Sequence, residues 1–178
     1  MIGRLDAPGA KPDPLADAAQ ERGCRLYQLP SLRGPDAAEA LRQANVDIAV
    51  MAYVLQFAPQ SLVNIPPHGT ICYHPSLLPK YRGPSSINWP IIRGDRQTGL
   101  TIFRPSDGLD EGPVVLQKTV EIGPDDTLGT VYFDRLFPQG VAAMLEAADL
   151  VIAGKHREVA QDESQASYEG WCRDGEAR

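Results

Sequence analysis

At 178 residues, with a formal charge of -6 and a pI near 5.0, the chain is long enough for one hydrophobic core and carries no general basic field. Two full domains and wholesale nucleic-acid binding are both disfavoured on those grounds. The 3 cysteines, Cys24, Cys72 and Cys172, show no CxxC spacing and no zinc-like Cys/His pattern, so reduced thiols in a cytoplasmic, metal-free protein are expected. The opening Met1-Ile2-Gly3-Arg4-Leu5-Asp6 lacks the apolar run of a signal peptide, and the longest apolar runs are strand-sized, which argues against a membrane protein.

In chain order, Pro14 to Gly23 predicts a helix ended by glycine, and Arg25 to Leu29 a short strand. Pro35 to Asn45 predicts a second helix, with Ala37, Ala40, Leu41 and Ala44 at helical spacing. Asp47 to Val54 is a nearly continuous apolar run, as expected of a strand buried on both faces. Pro59 to Ile65 predicts a helical turn or two. Gly69 to His74 predicts a strand stopped by Pro75, so His74 falls at a strand's carboxyl end, where ligand crevices of open α/β sheets lie. A helix from Ser85 to Arg93 follows, then strands Leu100 to Arg104 and Val114 to Val120, expected to pair antiparallel around the Asp107 to Gly112 loop. Leu128 to Ala153 reads as one long helix with Gly129, Pro138 and Gly140 as kinks or breaks, and Gln161 to Arg178 as a polar connector.

Two rigid irregular turns stand out. Tyr73-His74-Pro75-Ser76-Leu77-Leu78-Pro79-Lys80-Tyr81-Arg82-Gly83 and Asp107-Gly108-Leu109-Asp110-Glu111-Gly112 hold a histidine and carboxylates between prolines and glycines. Fixed backbone around ionisable groups suits acid/base chemistry on a small substrate. Asp110 and Asp107 also read as turn formers, Cys72 as a small strand residue or a nucleophile beside His74, and Lys80 and Arg82 as a solvated loop or contacts to an anionic tail.

The pattern His74-Pro75-Ser76-Leu77-Leu78-Pro79, Arg82-Gly83, Ile87-Asn88-Trp89, Gly94-Asp95, Thr98-Gly99 and Asp107-Gly108-Leu109-Asp110-x-Gly112 resembles the 10-formyltetrahydrofolate-dependent formyltransferase family. Ile87-Asn88-Trp89 and Tyr168-Glu169-Gly170 look closest to the hydrolase domain of 10-formyltetrahydrofolate dehydrogenase, with methionyl-tRNA formyltransferase as near competitor. The resemblance implies an α/β fold, a Rossmann-like doubly wound, mostly parallel sheet lacking the family's first strand-helix unit. Its catalytic domain would be 1–160, with 161–178 a connector toward a further domain. It also implies that His74 and Asp110 are catalytic, that Tyr53, Leu55, Gln56, Phe57, Cys72 and Asp107 contact the folate, and that 10-formyltetrahydrofolate is the formyl donor.

On this reading Asp110 deprotonates the attacking group and keeps His74 protonated, while His74 stabilises the tetrahedral oxyanion. Family transferases usually carry an asparagine two residues before the histidine; here that position is Cys72, as the dehydrogenase hydrolase domain likewise lacks the asparagine. A thiol is a weak donor, which favours water over an amine or methionyl-tRNA as formyl acceptor. The competing expectations are a methionyl-tRNA formyltransferase and a non-catalytic folate-binding fragment.

Overall fold

The computed structural model describes residues 1–4 and 13–173; residues 5–12 of the opening segment and 174–178 of the predicted connector lie outside the described residues. Two compact units are formed, one from 1–49 with 54–69, the other from 50–53 with 70–178.

In the first unit, strand β1 (Ile2–Arg4) pairs in parallel with β2 (Tyr27–Leu29). Helix α1 (Pro14–Glu21) starts where the Asp13 carboxylate accepts from the Leu15 N–H and Pro14 occupies the first turn. Both features satisfy or remove N–H groups that have no intrahelical partner. Helix α2 (Pro35–Ala44) buries Ala37 and Ala40 and ends at Asn45 in the left-handed region, followed later by the single turn α3 (Gln60–Val63). Polar-rich helices with an alanine stripe bury only that stripe, which explains their modest core.

The second unit is built on a four-stranded sheet of order β3 (Ala49–Met51), β4 (Thr70–His74), β5 (Gln97–Phe103) and β6 (Val114–Glu121). β5 is antiparallel to both β4 and β6, with His74 opposite Thr101 and Gly99 opposite Thr119. As a central strand β5 is almost wholly buried, with Leu100 and Ile102 inaccessible. The strand predicted over 47–54 is shorter and lies at the sheet edge, where Val50 is exposed, so the expected burial on both faces is not found. Helix α4 (Asn88–Ile92) also starts later than its pattern suggests. Ser85 adopts φ +59°, which no right-handed helix accommodates.

The long C-terminal helix is continuous but not uniform. Short α5 (Leu128–Val131) opens with a Thr127/Thr130 capping box, and α6 spans Phe137–Ile152. Between them Tyr132–Leu136 widens into a π-turn, in which the Phe137 N–H donates to the Tyr132 carbonyl. The widening falls just ahead of Pro138, which cannot donate into the ordinary ladder. Gly140 then lets α6 approach the sheet: a Cβ there would lie 2.7 Å from the Tyr73 ring. Tyr73 thus faces α6, leaving Cys72 and His74 on the other face of β4.

Candidate active site

His74 is the last residue of β4, and Pro75 ends the strand behind it. The following loop is pinned from beneath by Thr101 on β5. Its hydroxyl donates to the Ser76 carbonyl at 2.7 Å and accepts from the Leu78 N–H at 3.1 Å, and Gln117 on β6 donates to it at 2.9 Å. Gly99 leaves room for Leu77 to seat on the same strand, since a Cβ at Gly99 would meet the Leu77 side chain at 2.5 Å. The Leu78–Pro79 peptide bond is cis, and Tyr81 sits at φ +58°. That conformation turns the Tyr81 carbonyl toward the imidazole, which donates to it from Nε2 at 2.8 Å. A carbonyl only accepts, so this bond sets the tautomer and leaves Nδ1 as the nitrogen free to exchange a proton.

Nδ1 lies 3.5 Å from Asp110 Oδ2. Asp110 reaches it from the loop between β5 and β6, which closes where the Arg104 N–H donates to the Pro113 carbonyl at 2.9 Å. Gly112 is required there because a Cβ would collide with the Arg104 carbonyl. Asp110 itself adopts φ +56°, an uncommon conformation for a residue with a side chain and one found often at functional sites. Its Oδ2 also accepts from the Gly83 N–H at 2.9 Å. A buried histidine and a largely buried carboxylate, 8% and 19% exposed at their side chains, are thereby held facing each other by the Tyr81 carbonyl and the Gly83 N–H.

 

Cys72 lies two residues before His74 on the same strand face. Burial, reinforced by the negative charge of Asp110, pushes its thiol up to about 12. It is therefore a neutral thiol at neutral pH, and the nucleophile reading lacks its thiolate. The remaining sequence-derived candidates are more dispersed. Asp107 is exposed in the β5–β6 loop, and Tyr53 is exposed after β3 at φ +55°. Leu55, Gln56 and Phe57 belong to the first unit. There Leu55 is exposed, Gln56 accepts from the Leu32 N–H at 3.0 Å, and the Arg33 guanidinium lies 4.8 Å from the Phe57 ring centre.

Arg82 differs from both sequence readings, a solvated loop or a contact to an anionic tail. Its side chain is inaccessible, and it donates to Gln161 Oε1 at 3.1 and 2.7 Å, to the Glu163 carboxylate at 2.9 and 2.7 Å, and to the Tyr168 hydroxyl. Glu163 accordingly lies below the usual carboxylate range, with the hydrogen bond from Arg82 as the first cause. Gln161 was not singled out by sequence. A lone glutamine in a polar tail carries no periodic or motif signal, and its partners lie far away in the chain.

A histidine and a carboxylate facing each other at the mouth of an α/β sheet define the class: an α/β domain equipped for proton transfer at the end of a strand. Residues 4–148 match the formyl transferase family, and the chain belongs to it. The chain is 42% identical over 165 residues to human mitochondrial 10-formyltetrahydrofolate dehydrogenase, covering 90% of this chain and 18% of that protein. It is 36% identical over 158 residues to methionyl-tRNA formyltransferase of Trichlorobacter lovleyi, covering 89% of this chain and 50% of the other. The chain thus spans under a fifth of the dehydrogenase and half of the transferase. Among solved structures, glycinamide ribonucleotide transformylase 1 from Symbiobacterium toebii shares the fold with a TM-score of 0.74 at 24% identity, covering 90% of this chain and 79% of that one. HypX from Aquifex aeolicus, solved with tetrahydrofolic acid, does so with a TM-score of 0.72 at 22% identity, over 89% of this chain and 27% of the other.

Proposed function

We propose that this chain binds 10-formyltetrahydrofolate and transfers its formyl group, with water as the favoured acceptor. The observation that carries the reading is the His74 Nδ1 to Asp110 Oδ2 approach of 3.5 Å, with Nε2 already committed to the Tyr81 carbonyl. In hydrolysis a water oxygen attacks the formyl carbon and Asp110 takes up the proton that water loses. In its cationic form, with Nε2–H kept on the Tyr81 carbonyl, His74 donates a hydrogen bond from Nδ1–H to the oxyanion. The C–N10 bond then breaks as N10 takes the proton that Asp110 received from water, and tetrahydrofolate leaves with formic acid, which ionises to formate. Cys72 supports water as acceptor, because a neutral thiol is a poor substitute for an amide donor to the oxyanion. Tyr53, Leu55, Gln56, Phe57, Cys72 and Asp107 complete the proposal as folate contacts. A cytoplasmic setting agrees with Cys24, Cys72 and Cys172 being free thiols. No helix among the described residues is long and apolar enough to cross a membrane.

The test is release of formate and tetrahydrofolate from 10-formyltetrahydrofolate by the purified chain, His74→Ala and Asp110→Ala, with and without methionyl-tRNA. Acceptor-independent release abolished by both substitutions is the expected result. Turnover that requires methionyl-tRNA would replace hydrolysis by transfer, and folate binding without turnover in any arm would leave a binding fragment.

A further inference from the structure

We propose that residues 159–169 form a strap that sets the position of Asp110, with Gln161 and Arg82 as positioning residues; the inference rests on the catalytic reading above. The strap is anchored at both ends. Val159 and Val114 exchange backbone hydrogen bonds at 2.9 and 2.8 Å, and Ser167 and Glu169 bond to the backbone of the Pro79 to Arg82 loop at 2.9 to 3.1 Å.

Between these anchors Gln161 faces two ways. Its Nε2 donates to the carbonyls of Asp110 at 2.8 Å and Gly112 at 2.7 Å, while its Oε1 accepts from Nε and Nη2 of Arg82. The Asp110 carbonyl belongs to the peptide plane that directly follows the Asp110 side chain, and the Gly112 carbonyl fixes the same turn two residues further on. A left-handed residue with a Cβ persists when its surroundings over-determine it, and the amide of Gln161 supplies that restraint. Tyr168 adds a second tie to the same turn, accepting from Arg82 and donating to Glu111. A clamp serving only to dock the strap on Arg82 would need an acceptor alone, and a glutamate would serve. An amide is required when the same side chain must also donate to the loop.

Gln161→Glu separates the two roles, since it keeps an acceptor for Arg82 and removes the donor to the loop; Gln161→Met is the second variant, in case the added charge prevents folding. The Gly83 amide donates to Asp110 Oδ2 and reports the carboxylate's position without any turnover. The expected result is a folded protein whose Gly83 amide resonance moves toward its position in Asp110→Ala. With it, kcat should fall on the order of tenfold to a hundredfold while KM for the folate stays within about twofold. A Gly83 resonance and kcat both at wild-type values in a folded variant would overturn the proposal. Should the wild type release no formate, the resonance still decides the positioning, and the failure belongs to the catalytic reading.

Discussion

Replacing Arg82 by lysine keeps the charge and removes the fork. The guanidinium makes five hydrogen bonds from an inaccessible position. An ammonium offers three donors in a tripod, so at least two bonds are lost, and each is worth about 1 kcal/mol net, more where a charge is involved. Glu163 is largely exposed and regains water, which discounts its share. The expected loss is about 2 kcal/mol, equivalent to roughly 4–8 °C in Tm for a chain of this size. Thermal unfolding followed by circular dichroism reads it directly. A Tm within about 1 °C of wild type would refute the reasoning, because a buried fork cannot be replaced at so little expense in stability.

Thr101→Val should destabilise by about 2–4 kcal/mol in urea titration, because it strips partners from the Ser76 carbonyl and the Leu78 N–H within the core. An unchanged midpoint would show that the loop is held by other groups. Iodoacetamide at pH 8 should label exposed Cys24 and spare Cys72 until the protein unfolds, read by mass spectrometry; equal rates would contradict the raised thiol. The same shift has a stability consequence. The unfolded thiol ionises near 9.0 and the folded one near 12, so Cys72 contributes fully below pH 9.0 and its contribution is lost as pH rises through that interval.

The local signals were legible because they are local. Asp13-Pro14 and Pro35 mark helix starts, Pro75 ends a strand, and the glycines of the Asp107 to Gly112 loop announce tight turns, all from backbone sterics that act within a few residues. The antiparallel pairing of β5 and β6 followed from two strands flanking one short loop. The family resemblance rests on the same motifs. Where prediction fell short, neighbours distant in sequence decided the outcome. Edge position exposed Val50 in a run that composition alone suggested was buried. Arg82 looked like a solvated loop residue until the chain returned with Gln161, Glu163 and Tyr168 to enclose it. The sequence by itself determined the elements, the two turns and the residue types available for proton transfer. Only the tertiary structure decided that His74 and Asp110 meet, that Tyr81 selects the free nitrogen, and that Gln161 braces the aspartate, because each depends on contacts between segments whose separation along the chain leaves no periodic trace.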